Sequence, residues 1–271
     1  MRGRLERGLV VLLAAAALCT GCGDTQISRP GGDDESGTPV RGGTLKVVGN
    51  SDVDHLATVS GYVTGSLWLT RTFARQLVTY PPATDFETAI SLEPDVAREL
   101  PTQDNGGISA DGRTYTFHLQ DNIRWNSSPP RAVTAHDFVR AFKYFCNPVS
   151  PVGAPGYYTS TIVGMTRYCA DFMKVSGTTA DIRRFMTTHE IEGVRAVDAS
   201  TLVFTLRAPA TDFLNLLAMP FTSAVPEEYL NYLPDSPDFR RHTLSNGPYA
   251  ITRYVQNREI ELARNLTWDP H

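Results

Sequence analysis

Alternation and helical spacing divide most of the chain into short elements. Thr44 to Gly49 (TLKVVG) is an apolar run after Gly42-Gly43 and predicts a short buried strand. The polar stretch Asn50 to Thr58 predicts a loop at that strand's carboxyl end. From Tyr62 to Thr79, Leu69, Phe73 and Leu77 recur every four residues, which predicts a helix stopped by Pro81-Pro82. Thr114 to Gln120 alternates, with Tyr115, Phe117 and Leu119 on one face, after a turn at Ser109-Ala110-Asp111-Gly112. Thr134 and Asp137 have the form of a capping box. Phe138, Phe142 and Phe145 follow on one helical face and read as core. Thr179 to Thr187 predicts a further helix, and Pro209 to Met219 a short apolar one. Thr201 to Arg207 alternates again through Leu202, Phe204 and Leu206. Tyr249 to Val255 and Arg258 to Arg264 bracket Gln256-Asn257 as a hairpin. The sequence contains no internal repeat.

Residues 1–22 follow a different logic. Arg2, Arg4 and Arg7 precede an unbroken apolar run, Leu9 to Cys19. As a helix, those residues reach ~16 Å, about half of a ~30 Å hydrocarbon layer. The segment is therefore a signal-peptide apolar region, not a membrane span. It ends in Leu18-Cys19-Thr20-Gly21-Cys22, which resembles the bacterial lipobox except that Cys19 replaces the usual Leu, Val or Ile. In that arrangement Cys22 becomes a lipidated first residue; ordinary signal cleavage is the alternative. Gly23 to Gly42 is rich in Gly, Pro, Ser and Asp and reads as a flexible tether from a membrane anchor.

Composition sharpens this picture. Of 271 residues, 41% are hydrophobic and 20% charged, which supports a sizeable core and excludes global disorder. The formal charge is −4, and losing residues 1–21 removes three Arg and one Glu to leave −6. That balance argues against a nucleic-acid binder. Of four Cys, Cys146 and Cys169 remain after Cys19 and Cys22 are accounted for. In an exported protein they are expected to form a disulfide.

Catalytic signatures are missing. There is no nucleophile elbow, no zinc-protease motif, no phosphate loop and no dinucleotide fingerprint, and no cofactor is implied. Asp52, Asp54 and His55 could form a metal or acid/base cluster, or simply a solvated loop. An exported protein without catalytic apparatus points to binding. An exported hydrolase using Asp52 and His55 stands as the competing reading.

Several stretches, in order, resemble the extracytoplasmic solute-binding proteins of ABC importers, specifically the large oligopeptide-, dipeptide- and nickel-binding family. Gly42-Gly43-Thr44-Leu45-Lys46-Val47 resembles its opening strand, and Leu92-Glu93-Pro94-Asp95-Val96-Ala97 a following segment. Asp111 to Leu119, Ile123-Arg124-Trp125 and Val133 to Val139 match its middle. Val197 to Leu206, Ser245-Asn246-Gly247-Pro248-Tyr249 and Leu262 to Trp268 match later motifs, with Asn246 in place of Thr.

The resemblance implies an α/β clamshell of the type II periplasmic-binding-protein class. Residues 43–271 would be an incomplete solute-binding domain: residues 43–60 and 192–271 in the main sheet of lobe I, and 61–191 an inserted α+β subdomain. The family's chains are close to twice this length, so lobe II is expected to be absent and this chain alone to bind solute poorly. The implied role is capture of peptides by a monomer and delivery to ABC permease subunits at the outer face of the cytoplasmic membrane. Nickel, sugar or another small solute, or a signalling receptor, are the alternatives. By position, Asn50, Ser51 and Asp52 should face the cleft, and so should Asn246, Gly247 and Tyr249, although Gly247-Pro248-Tyr249 also fits a tight turn. Tyr157 and Tyr158 are further candidates for the ligand wall.

Overall fold

The computed structural model describes residues 42–269. Residues 42–47 belong to the first of two units and carry no helix or strand. Leu45 and Val47 are exposed there, so the strand expected over Thr44–Gly49 is not formed. A strand is stabilised by ladder partners, and no strand among the described residues pairs with this segment. The signal, the lipidation site at Cys22 and the tether lie outside the described residues.

From residue 48 onward the chain forms a second unit built from short elements. In order, these are α1 (Thr64–Phe73), β1 (Val78–Thr79), α2 (Phe86–Ala89), β2 (Glu93–Pro94), β3 (Thr114–His118), β4 (Arg124–Trp125), β5 (Arg131–Ala132) and α3 (Ala135–Tyr144). Then follow α4 (Gly156–Thr159), α5 (Met165–Phe172), α6 (Thr179–Thr188), β6 (Val194–Ala196), β7 (Thr201–Thr205), α7 (Phe213–Leu217), α8 (Pro237–Arg241), β8 (Tyr249–Val255) and β9 (Glu259–Arg264). Two 3-10 helices, Pro220–Thr222 and Glu227–Asn231, lie between α7 and α8.

The middle of the chain folds as its alternation requires. β3, β7 and β6 form an antiparallel sheet in that order, with Tyr115 opposite Phe204 and Phe117 opposite Leu202. This sheet joins strands from both sides of the expected boundary at residues 191/192. The inward residues of β3 and β7 are buried while their neighbours stay partly open. α3 covers the sheet, and Phe138, Phe142 and Phe145 are fully buried. Asp137 reaches back to the Thr134 N–H (3.0 Å), which completes the expected cap. It also accepts from Trp125 Nε1 and from the guanidinium groups of Arg131 and Arg140, so a buried charge is fully compensated. The expected disulfide joins Cys146, just past α3, to Cys169 in α5, with Cα atoms 5.0 Å apart.

α1 is shorter than its apolar spacing predicts. It ends at Phe73, and Leu77 is buried outside the helix, beside β1. Ala74 N still donates to the Thr70 carbonyl (2.8 Å), but the two amides after it find acceptors elsewhere: Arg75 N donates to Asn246 Oδ1 (3.0 Å) and Gln76 N to Asp95 Oδ2 (3.0 Å). In return, the Phe73 carbonyl accepts from Asn246 N and Gly247 N (both 3.1 Å) and from Ser245 Oγ. A side-chain cap from distant sequence thus ends the helix well before Pro81.

Candidate functional site

The candidate residues fall into three places. Asn50 and Ser51 are exposed at the start of an irregular segment. Asp52 is turned away from solvent toward the last hairpin. Its carboxylate accepts from Val53 N (2.9 Å), Tyr254 Oη (2.8 Å) and Asn257 N (2.7 Å). Burial alone would raise this carboxyl, but the hydrogen bonds from Asn257, Tyr254 and Val53 hold it below the usual range. Asp54 caps the entry to α1, accepting from Tyr62 N, Val63 N and Ser66 Oγ.

The competing acid/base pair is not assembled. Asp52 is committed to the hairpin, while His55 Nδ1 lies 2.6 Å from Asp235 Oδ2. Ser150 Oγ approaches the same ring nitrogen at 3.4 Å. A serine nucleophile needs the imidazole nitrogen opposite the one its carboxylate orients, so the three residues do not form a catalytic triad. Among the described residues no group of three His, Cys, Asp or Glu side chains could hold a metal ion.

The second place is the turn from Ser245 to Tyr249. Asn246 and Gly247 are buried and cap α1 as described. A Cβ on Gly247 would stand 2.8 Å from the Phe73 carbonyl carbon, so only glycine permits this approach. Asn246 uses its Oδ1 on Arg75, and its buried Nδ2 has no hydrogen-bond partner. Tyr249 opens β8 and is 44% exposed. Asp52 meets the far end of the same hairpin. A strand rises ~3.3 Å per residue, so the length of β8 sets the first two places roughly 20 Å apart.

The third place holds Tyr157 and Tyr158, which separate. Tyr157 is 50% exposed, but Tyr158 is fully buried against Phe142, Phe145 and Phe221, and its hydroxyl donates to the Leu216 carbonyl (2.8 Å). Tyr158 is core, not ligand wall: its hydroxyl finds a backbone acceptor, which makes burial of the whole ring favourable.

Beside the Ser245–Tyr249 turn opens a groove of about 580 Å³. Arg71 and Arg75 with Glu93 and Asp95 supply charges of both signs to it, and Tyr80, Pro248 and Trp268 form apolar walls. Arg75 Nε donates to Asp95 Oδ1 at 2.6 Å. Burial pushes the Asp95 carboxyl up against the pull of Arg75. Arg71 Nη2 braces the rim by donating to Thr79 Oγ1 and the Tyr80 carbonyl. Of these groove residues, the sequence motifs single out the segment holding Asp95, the turn holding Pro248 and the stretch ending in Trp268. Arg71 and Tyr80 join them only through the fold.

Comparison with known proteins places this arrangement. The fold matches a solved clavulanic acid biosynthesis oligopeptide binding protein 2 with a TM-score of 0.69 and 27% identity, over 84% of this chain and 37% of that one. The class is therefore the α/β fold of periplasmic binding proteins. Residues 91–271 match the model of bacterial extracellular solute-binding proteins, family 5, middle region, and the chain belongs to that family. It is 30% identical over 160 residues to the periplasmic oligopeptide-binding protein OppA of Salmonella typhimurium, covering 59% of this chain and 27% of that protein. It is 29% identical over 163 residues to the dipeptide-binding protein of Escherichia coli, 56% of this chain and 26% of that one. The chain spans about a quarter to a third of the curated relatives it matches. No helix among the described residues is long and apolar enough to cross a membrane.

Proposed function

We propose that this protein captures small peptides outside the cytoplasmic membrane and delivers them to an ABC permease, with no covalent chemistry on the solute. The observation that carries this reading is membership of a solute-binding family whose relatives bear oligopeptide- and dipeptide-binding names. The open groove beside the Ser245–Tyr249 turn supports it, because it offers apolar walls and guanidinium donors within one concave surface. Asn50, Ser51, Tyr157 and Tyr249 are the solute-facing members of the candidate set. Residues 43–60 and 192–271 belong to lobe I, with 61–191 as the subdomain inserted into it; the pairing of β3 with β7 is consistent with that connection. A lipid on Cys22 and the 23–42 tether hold the monomer at the membrane's outer face. Closure of two lobes over the solute creates the form that the permease recognises.

A thermal-shift screen of the complete gene product against peptide pools, sugars and divalent metals tests this. A peptide pool is expected to raise the melting temperature. A sugar or a metal raising it where no peptide does would overturn the peptide assignment.

A further inference from the structure

Residues 50–61 form neither helix nor strand, yet Leu56 to Gly61 are buried. Buried irregular backbone needs acceptors for its amides. Asp235, far along the chain, provides them. Its Oδ1 accepts from Leu56 N (2.6 Å) and Ala57 N (3.1 Å), and its Oδ2 meets His55 Nδ1 at 2.6 Å. Asp235 sits at φ +56°, a left-handed conformation that Asp and Asn adopt more readily than other residues with a Cβ. One carboxylate therefore holds three consecutive residues, 55 to 57, beginning four positions past Ser51, while Asp52 between them is held by the last hairpin.

We propose that Asp235 is the positioning residue of the solute loop, and that the charge on His55 sets how firmly it holds residues 50–57. The solute-facing role of Asn50 and Ser51 rests on the function proposed above; the clasp itself does not. His55 has one third of its side chain open to solvent and can exchange its proton, whereas Asp235 is nearly enclosed. Several charged or titratable groups face the pair. Asp54 lies on the same segment, Arg240 on α8, and Tyr254 of β8 faces Asp235. Tyr144 of α3 and Tyr229 of the second 3-10 helix face Asp235. The hydrogen bond from Asp235 raises the His55 imidazole above its ordinary value against the cost of burial, with Asp235 and Asp54 adding attraction and Arg240 opposing. A raised folded-state value means that the charged clasp is fully present below the ordinary histidine value near 6.5 and fades as pH climbs through the folded one.

Amide exchange and 15N relaxation of the labelled chain between pH 5 and pH 8.5 test this without any solute. Corrected for intrinsic rates, protection of the Leu56 and Ala57 amides should be about fivefold stronger at the acidic end, where the His55–Asp235 contact is an ion pair and not a bond from a neutral ring. The heteronuclear NOE of Asn50 and Ser51 should rise with it. His55→Gln should fold and show a flat profile; Asp235→Asn, which suits the same backbone conformation and keeps one oxygen for the two amides, should protect them more weakly and with no pH dependence. A flat wild-type profile, or a slope surviving in His55→Gln, overturns the proposal even where Asp235→Asn fails to fold. Failure here leaves the peptide assignment to the thermal-shift screen, and failure of that screen leaves the clasp intact.

Discussion

Around α3, aromatic rings do the holding. Phe142 packs on Phe145, Phe204 and Tyr158 with centroids 4.9, 5.0 and 5.7 Å apart. Around the 50–61 segment the holding groups are carboxylates: Asp52, Asp54 and Asp235 accept backbone amides that no helix or sheet satisfies. The first region uses apolar burial, which is indifferent to pH and forgiving of backbone detail. The second uses directional bonds to groups that titrate. A region that must present a loop to solvent cannot bury much apolar surface, so point attachments fix its geometry instead.

Four variants probe this contrast, from the largest effect to the smallest. Phe142→Ala should cost about 3–5 kcal/mol in urea unfolding, with the loss unchanged between pH 5 and pH 8. Joint replacement of Cys146 and Cys169 by Ser should cost about 3 kcal/mol, the entropy of a loop of this length, and intact-mass measurement without reductant should show those thiols paired in the native chain. Gly247→Ala should cost about 1–3 kcal/mol, because its methyl group collides with the end of α1. Amide exchange should then rise at Arg75 and Gln76 while the Phe142 neighbourhood stays protected.

Asp52→Asn should cost about 1 kcal/mol at pH 7, read from the urea midpoint. Because the folded-state carboxyl lies below its ordinary value of 3.8, its contribution is present above that value and is lost as pH falls through the folded one. Wild type and variant should therefore converge in strong acid. A gap that persists there would mean that Asp52 acts through packing, and the contrast between the two regions would weaken.

How much was legible follows the same line. Thr134, Asp137 and the three phenylalanines of α3 were readable because their pattern is local and their partners lie within a few turns. The β3 and β7 strands were readable because alternation survives any choice of partner. The end of α1 was not, since the acceptors that pull Arg75 and Gln76 out of the helix come from Asp95 and Asn246. Thr44–Gly49 has strand composition, but composition supplies no ladder partner. Asp52 was noticed for its charge and its neighbour His55; the structure gives those two residues different partners on different elements. Tyr158 looked like Tyr157 in sequence, and only packing separates the buried ring from the exposed one.

Sequence alone determined the family, the apolar faces of the middle elements, the cap of α3 and the two cysteines that meet. Each depends on residue type at fixed short spacing, or on motifs in a fixed order. Tertiary structure alone decided which carboxylate serves which amide, where α1 stops, and that the candidate residues occupy places set apart by the length of a hairpin. Those outcomes depend on contacts between segments up to about two hundred residues apart, as between Asp52 and Asn257, and local spacing carries no information about such distances.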